Sequence, residues 1–186
     1  MEKRIFIGIQ NTINPSFAKN IINIQDKLNN HAKIKWVKIE NIHITLNFLG
    51  NTPNEKIPII NNEVQQICNQ NKEFSITLRK IGTFPNIHNP KVLWIGIDNY
   101  SPLLSIYEKI DNSMLSNNIT FDNKPFAPHL TLGRFQHLYN PNILKEIITN
   151  NNKTFDIWNV SHIKIFESIL YPTEPVYKVL YSCQLT

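Results

Sequence analysis

His43-Ile44-Thr45-Leu46 is a four-residue motif that returns 86 residues later as His129-Leu130-Thr131-Leu132. With 6 His, 11 Thr and 15 Leu in 186 residues, random placement predicts about 0.03 copies of His-x-Thr-Leu. Each copy lies in a short apolar run that ends near a glycine, Gly50 for the first and Gly133 for the second. The first motif (43–46) and the second motif (129–132) therefore predict two β-strands with a shared chemical role.

Alternation along a strand divides each motif into two faces. In the first motif, His43 and Thr45 point to one side, while Ile44 and Leu46 point to the other. If the apolar faces of both motifs pack into the core, two imidazoles and two hydroxyls line one cleft. One imidazole can then act as a base and the other as an acid, and hydroxyl donors stabilise charge on phosphate oxygens. This pattern favours phosphodiester cleavage by proton transfer, a scheme that requires no metal.

Arg134 follows the second motif closely and is one of only three arginines in the chain. A guanidinium can hold phosphate oxygens in a bidentate manner. Position 134 has the opposite parity to His129 and Thr131, so a regular strand would send Arg134 away from the cleft. A bulge at Gly133, or the end of the strand there, would reverse that direction. Phosphate binding and a structural salt bridge stay open as alternatives.

The alternative interpretation of both motifs is that their residues serve packing and strand formation and not catalysis. A histidine in an apolar strand is more often a packed residue than a catalyst, and threonine is a good strand former. Packing alone, however, gives no reason for the same pair to recur in two distant strands. The other histidines and both cysteines lack the spacing of a metal site or of a paired framework. We therefore expect no metal and no cofactor, and buried or idle thiols at Cys68 and Cys183. Surface or loop positions are expected for His31, His88, His137 and His162.

The chain resembles the two-histidine (2H) phosphoesterases, and within them the RNA 2',3'-cyclic phosphodiesterases of bacteria and archaea, also described as 2'-5' RNA ligases. One departure lies near the end, where such proteins often carry Gly-Pro before a tyrosine and this chain has Glu174-Pro175-Val176-Tyr177. No role is therefore assigned to Tyr177. The segments that carry the resemblance are Arg4-Ile5-Phe6-Ile7-Gly8-Ile9, the run 36–50, Gly82-Thr83-Phe84-Pro85 before Val92-Leu93-Trp94, the run 126–134, Glu167-Ser168 and Tyr177.

The resemblance implies an α+β fold of two pseudo-symmetric lobes, each an antiparallel sheet backed by helices, with a central cleft that takes one His-x-Thr motif from each lobe. It also implies hydrolysis of a terminal ribose 2',3'-cyclic phosphate to a 2'-phosphate, with 2'-5' ligation as a weaker companion activity. His43 would protonate the departing 3' oxygen and His129 would deprotonate water, while Thr45, Thr131 and Arg134 bind the phosphate. Sequence does not order the two histidines, because the reverse reaction exchanges their roles.

Two other function classes stay open. A nucleotide-binding or RNA-binding module could hold a phosphate with the same four side chains and carry out no reaction. The second class is a metal-dependent hydrolase, which would lose its activity in the presence of a chelator. A cyclic phosphate substrate distinguishes the first alternative from an enzyme, because only the enzyme gives a product.

Periodicity along the chain independently predicts an α+β order with antiparallel pairing. The apolar spacing predicts that the first helix buries Phe17, Ile21, Ile24 and Leu28. The third helix is predicted to begin with Ser101 as its cap and Pro102 at its first helical position. It is expected to bury Leu103, Ile106, Ile110 and Leu115. Strands are predicted over 3–10, 34–39, 42–49, 74–83, 91–98, 155–158, 163–170 and 176–185 besides the second motif. Helices are predicted over 15–30, 54–71, 101–118 and 141–151, and Pro58 must lie in the first turn of the second helix or break it.

Aromatic and basic residues near the motifs suit a nucleic acid. Trp36, Phe48, Phe84 and Phe126 could stack on a base, although parity favours burial of Phe48 beside Ile44 and Leu46. The lysines at 33, 35 and 38 could guide an RNA backbone or form a solvated face.

Composition is that of a compact protein. The 186 residues, 41% of them hydrophobic, predict one domain over 1–186, and the net charge of +5 suits a polyanionic partner. The resemblance implies that this domain is bilobal and that its partner is an RNA or oligonucleotide with a 2',3'-cyclic phosphate end. We expect a monomer. No apolar run approaches about 18 residues and the chain enters a strand at once, so we expect no membrane span, no signal peptide and a cytoplasmic location.

Overall fold

The computed structural model describes residues 1–122, 125–172 and 174–186. Strands and helices follow one another in an α+β order. The strands are β1 (Glu2–Ile9), β2 (Ala32–Trp36), β3 (Ile44–Pro53), β4 (Phe74–Phe84), β5 (Val92–Asp98), β6 (His129–Leu138), β7 (Thr154–Val160), β8 (His162–Leu170) and β9 (Pro175–Gln184). The α-helices are α1 (Pro15–Leu28), α2 (Ile57–Asn69), α3 (Ser101–Ser116) and α4 (Pro141–Asn150), with short 3-10 turns at Ile39–Asn41 and Asn54–Lys56.

The strands form one sheet in the order β7-β4-β5-β6-β3-β1-β8-β9, with β2 added beside β6. Every strand pair of the described residues is antiparallel, which confirms the predicted α+β class and pairing. The separate sheets expected for two lobes are instead parts of one sheet. The sheet has two halves that meet where β3 and β6 pair through Ile44 and Leu130 alone. Helices α1 and α4 pack on the half that contains β4 and β7, and α2 and α3 pack on the half that contains β3, β8 and β9.

Helix α1 forms where its sequence predicts. The Asn14 side chain accepts a hydrogen bond of 2.8 Å from the Phe17 backbone N–H, and Pro15 occupies the first turn, where its missing N–H costs nothing. The four predicted apolar positions, Phe17, Ile21, Ile24 and Leu28, are all buried.

Helix α3 corrects two details of the prediction. Its N-cap is Tyr100, which forms no side-chain cap, and Ser101 is the first helical residue, followed by Pro102 within the first turn. Met114 is fully buried, while Leu115 is 64% exposed. The predicted burial of Leu115 was wrong because the stripe through Leu103, Ile106 and Ile110 continues at Met114, and the next residue lies about 100° around the helix.

The region between β2 and β3 also differs from prediction. Strand β2 ends at Trp36, a 3-10 turn covers Ile39–Asn41, and β3 begins at Ile44 and continues to Pro53. His43 therefore directly precedes its strand, whereas His129 opens β6.

In the described part of the chain, no helix combines the length and the apolar character that a membrane crossing requires.

Candidate active site

The two motifs border one cleft of about 780 Å³ at the junction of the two half-sheets. His43, Thr45, His129 and Thr131 all line it. The apolar residues of the motifs, Ile44, Leu46, Leu130 and Leu132, belong to the core, and Leu46 also borders the cleft. The alternation predicted for each motif is thus present in its polar residues, because all four of these side chains face the cleft.

The first motif ends in a β-bulge. In the pairing of β1 with β3, Gly8 lies opposite Thr45 and Ile7 lies opposite Asn47, so Leu46 is an extra residue without a partner. The strands approach so closely that a Cβ atom on Gly8 would overlap the carbonyl oxygen of Ile44. The bulge shifts the alternation by one residue as far as Phe48, after which a second irregularity, opposite Ile5 and Phe6, changes the register again.

Phe48 shows the consequence of that shift. It lies opposite Phe6, and its half-buried ring lines the cleft. The parity argument that placed Phe48 in the core was therefore wrong, because it assumed a regular strand through Leu46. The true position adds an aromatic face to the wall that also carries Thr45.

The second motif ends in the same way. In the pairing of β5 with β6, Trp94 lies opposite Thr131 and Leu93 lies opposite Gly133, which leaves Leu132 as the extra residue. Arg134 consequently lies on the same side as Thr131, and it lines the cleft. In the described residues, Arg134 forms no ion pair with a carboxylate. Of the two alternatives left open by the sequence, the structure agrees with an arginine that faces the cleft.

The two imidazoles are held in matching ways. The Nδ1 atom of His43 lies 2.7 Å from the backbone oxygen of Asn41, and that of His129 lies 2.6 Å from the backbone oxygen of Ala127. A carbonyl oxygen only accepts hydrogen bonds, so Nδ1 carries the hydrogen in both rings. Nε2 of each neutral ring is then left with its lone pair. Each histidine can take up a proton on Nε2 or return one from it.

Burial is the main cause that lowers the pKa of both histidines, since a desolvated imidazole disfavours its charged form. The hydrogen bond to Asn41 or Ala127 opposes this effect in part. A positive charge on His129 further lowers the pKa of His43, and the charge of Arg134 further lowers the pKa of His129. The charge of His129 thus reaches His43, and the charge of Arg134 reaches His129.

The two hydroxyls are available to a ligand. Thr45 and Thr131 are half-buried, and neither side chain hydrogen-bonds to another residue in the part of the chain that the structure describes. A hydroxyl can rotate to donate to an oxygen in the cleft. Preorganised donors of this kind stabilise developing negative charge.

Aromatic rings surround both histidines. The ring centroid of His43 is 4.8 Å from that of Phe6 and 4.9 Å from that of Tyr177, and His129 lies 4.9 Å from Phe84. These contacts bury the imidazoles, which is the physical origin of their lowered pKa values. Of the four aromatics suggested as base platforms, Phe48, Phe84 and Phe126 line the cleft, whereas Trp36 packs against the core.

A buried polar network supports one wall of the cleft. Asn47, directly after the first bulge, is 2% exposed and its amide donates a hydrogen bond to Asp111 of α3. Tyr107, one turn earlier in α3, also hydrogen-bonds to Asp111, and burial raises the pKa of this tyrosine to about 12. The Tyr107 ring stacks on Phe126 with centroids 4.2 Å apart. Helix α3 is thereby fixed to the strand that carries Thr45.

Sequence reasoning missed Arg4 and Tyr177 as cleft residues, and both line it. Arg4 shares a face of β1 with Phe6, opposite to the buried Ile5, so strand parity together with the rarity of arginine was the available signal. Tyr177 carries a pKa that burial raises and that the charges of Arg134 and Arg4 lower in part. Its ring is therefore within electrostatic reach of both arginines.

The remaining candidates lie outside the cleft lining. His137 is exposed on β6, inside the strand and not past its end, and Lys38 pairs with Glu174. Cys68 and Cys183 are buried, and the Cys183 thiol donates a hydrogen bond of 3.5 Å to Asn61. The neighbouring Cys183 thiol and burial raise the pKa of Cys68. Within residues 1–122, 125–172 and 174–186, no three His, Cys, Asp or Glu side chains cluster as metal ligands would.

Comparison with known proteins identifies the family. Residues 12–94 match a family model described as LigT like Phosphoesterase. The chain is 34% identical over 185 residues to the RNA 2',3'-cyclic phosphodiesterase of Thermotoga maritima, an alignment that covers 97% of this chain and 95% of that protein. This chain belongs to the LigT-like phosphoesterase family. The resemblance to 2H phosphoesterases stated from the sequence is thereby confirmed.

Further relatives agree with membership in the LigT-like phosphoesterases. The RNA 2',3'-cyclic phosphodiesterase of Methanocaldococcus jannaschii is 34% identical over 179 residues, which is 95% of this chain and 98% of that protein. The solved structure of TT0787 from Thermus thermophilus matches with a TM-score of 0.79 and 25% identity, over 98% of this chain and 97% of that chain. E. coli LigT in its apo form shares the fold, with a TM-score of 0.73 and 20% identity over 100% of this chain and 98% of that chain.

Proposed function

We propose that this LigT-like phosphoesterase hydrolyses the 2',3'-cyclic phosphate end of an RNA to a 2'-phosphomonoester by acid–base catalysis between His43 and His129. The observation that carries the proposal is the matched pair of imidazoles, each with Nδ1 bound to a backbone oxygen and each lining one cleft. The substrate class follows the relatives, which are named RNA 2',3'-cyclic phosphodiesterases over nearly their whole length.

The reaction needs one proton removed and one supplied. Nε2 of His129 takes a proton from water, whose oxygen forms a bond to phosphorus. The bond from phosphorus to the 3' oxygen breaks, and Nε2–H of His43 gives its proton to that oxygen. The products are a 2'-phosphate and a 3'-hydroxyl. Each proton transfer contributes about 10²- to 10⁴-fold to the rate.

The position of Arg134 supports this division of roles. Its charge lowers the pKa of His129, which favours the neutral ring that a base requires. Once His129 is neutral, its charge no longer lowers the pKa of His43, so His43 holds a proton more readily. A bound phosphate anion strengthens that preference by attraction. His43 as the acid and His129 as the base is therefore the assignment that the charges favour.

Phosphate binding falls to the side chains beside the histidines. Thr45 and Thr131 donate hydrogen bonds to the non-bridging oxygens, where charge builds up in the transition state. Arg134 adds a bidentate contact from the His129 side. The scheme uses only groups of one chain, so a monomer with residues 1–186 as one catalytic unit is sufficient.

The same site can accept an RNA hydroxyl in place of water. If the 5'-hydroxyl of a second RNA attacks phosphorus, His129 takes its proton, the bond to the 3' oxygen breaks, His43 protonates that oxygen and a 2'-5' linkage forms. A 2'-5' ligase activity is then a weaker companion of hydrolysis. Cleavage of the 2'-5' linkage is the reverse of this reaction, in which the two histidines exchange their roles by microscopic reversibility.

The test is incubation with an oligoribonucleotide that ends in a 2',3'-cyclic phosphate, with and without a chelator. We expect a 2'-phosphate product that survives the chelator, and a loss of about 10²- to 10⁴-fold in kcat for either His43→Ala or His129→Ala. His137→Ala is the matched control, because this histidine lies on β6 but outside the cleft lining. Binding without product would support a non-catalytic module, a 3'-phosphate would reverse the leaving group, and inactivation by the chelator would indicate a metal enzyme.

A further inference from the structure

Arg4 is a cleft residue that the proposed chemistry does not use. It projects from β1, is half-buried, and lines the same cleft as both motifs. Its guanidinium carbon lies 4.9 Å from the centroid of the Phe48 ring. No carboxylate among the described residues forms an ion pair with it, unlike Arg79, which lies 3.6 Å from Asp98. Arg4 is therefore a cation held in place and open to an anionic ligand.

The register of β1 separates Arg4 from the reacting centre. Gly8 lies opposite Thr45, whereas Phe6 lies opposite Phe48, over whose ring the guanidinium is held. Two residues along a strand span about 7 Å, so the backbone at Phe6 and Phe48 lies about that far from the level of Thr45. Arg134 projects from β6 and is close enough to His129 for its charge to lower the pKa of that histidine. The two arginines thus project from different strands beside one cleft, and the charges of both reach Tyr177.

We infer that Arg4 and Phe48 form a second anion subsite, which binds the phosphodiester that precedes the terminal cyclic phosphate of an RNA substrate. The inference rests on the proposed function and goes beyond it, because it selects an RNA end over a free cyclic mononucleotide. A mononucleotide has the cyclic phosphate alone and leaves this subsite empty. An oligonucleotide fills both.

The chemistry of the pair suits this role. A guanidinium that packs against an aromatic face keeps its N–H donors in the plane of the group, where a phosphate accepts two parallel hydrogen bonds. The stack also restricts the long side chain, so less rotamer entropy is lost when the anion binds. Asp122 also lines the cleft and its backbone N–H donates to Phe48, yet the two arginines keep the charge of the lining positive.

The test compares two substrates, a dinucleotide with a 2',3'-cyclic phosphate end and a nucleoside 2',3'-cyclic monophosphate. Arg4→Met keeps the length and the apolar contact with Phe48 but removes the charge. We expect this variant to lose roughly 10- to 100-fold in kcat/KM on the dinucleotide and to remain near the wild type on the mononucleotide. Arg79→Met is the matched control and should change neither value, because Arg79 does not line the cleft.

Salt dependence gives a readout that a merely structural role would not change. Loss of one phosphate contact should lower the slope of log kcat/KM against log salt by about 1 for the dinucleotide only. Arg4→Lys keeps the charge and should keep the slope while it loses part of the affinity. An equal loss on both substrates would place Arg4 at the cyclic phosphate and overturn the inference, and so would no loss on either.

A binding measurement separates the inference from the proposed function. In a His129→Ala background, titration with a dinucleotide that ends in a phosphate and with a nucleoside monophosphate does not depend on turnover. Arg4→Met should weaken binding of the first ligand and leave that of the second unchanged. If the wild type bound both ligands but hydrolysed no cyclic phosphate, the proposed reaction would fail while the Arg4 subsite stood. If Arg4→Met left both affinities unchanged, the subsite would fail by itself.

Discussion

Phe48 and Arg134 occupy the same place relative to the two motifs, because each lies five residues after its histidine and two residues after the extra residue of a β-bulge. Both side chains line the cleft for that reason. The two half-sheets thus supply matching histidines and threonines but different third residues, an aromatic ring on one side and a cation on the other. This asymmetry between the two bulged positions lets the charge of Arg134 lower the pKa of His129.

The first prediction concerns that asymmetry. Arg134→Met removes a charge that lowers the pKa of His129, so we expect the pKa of His129 to rise and the acidic limb of the kcat/KM profile to move to higher pH. Titration of the imidazole by NMR measures the shift directly, and Arg134→Lys should restore much of it. An unchanged or lower pKa of His129 in the Met variant would contradict the role of this cation.

A second prediction concerns the hydroxyls. Thr45→Val and Thr131→Val keep the strand-forming shape of the side chain but remove a donor to the phosphate oxygens, so we expect each to lower kcat by about 10²- to 10³-fold. The serine variants at the same positions should retain most of the activity. Thermal unfolding of each variant should stay close to that of the wild type, since neither hydroxyl bonds to another described residue. A valine variant with full activity would remove that threonine from the mechanism.

A third prediction uses two neighbours in α3. Met114 is fully buried and Leu115 is 64% exposed, so Met114→Ala should lower the free energy of unfolding by about 2–5 kcal/mol, whereas Leu115→Ala should change it by less than about 0.5 kcal/mol. Urea denaturation of the two variants makes the comparison. Equal effects would mean that the inward stripe of the helix is misplaced.

A fourth prediction concerns stability against pH. The pKa of His43 is lowered in the folded chain, whereas in the unfolded chain it is about 6.5. As the pH falls below 6.5, the unfolded state therefore takes up a proton at His43 before the folded state does. The free energy of unfolding that His43 contributes is fully present above pH 6.5, and it is lost as the pH falls toward the pKa of His43 in the folded chain. His43→Gln should flatten the fall in unfolding free energy between pH 7 and pH 5. His137→Gln, at an exposed position, is the control, and the idea fails if both variants retain the wild-type slope.

Local pattern was enough for most of the secondary structure. The stripe of Phe17, Ile21, Ile24 and Leu28 predicts α1 because helix periodicity depends on residues within a few positions of each other. The same stripe argument failed at Leu115, where an apolar residue lies beside the stripe and only packing shows which neighbour faces inward.

The sequence by itself was enough to single out two histidines and two threonines as candidate site residues and to indicate the family. Each motif is a local pattern, and its alternation follows from the pleat of a strand. The directions of Phe48 and Arg134, and the place of Arg4 above Phe48, were decided only by tertiary structure. A β-bulge is a mismatch in length between a strand and its partner, and the partners β1 and β5 lie far along the chain from β3 and β6. The residue pattern of one strand does not reveal such a mismatch. The positions of the aromatic ring and of the two arginines in the cleft therefore depend on how the strands pair.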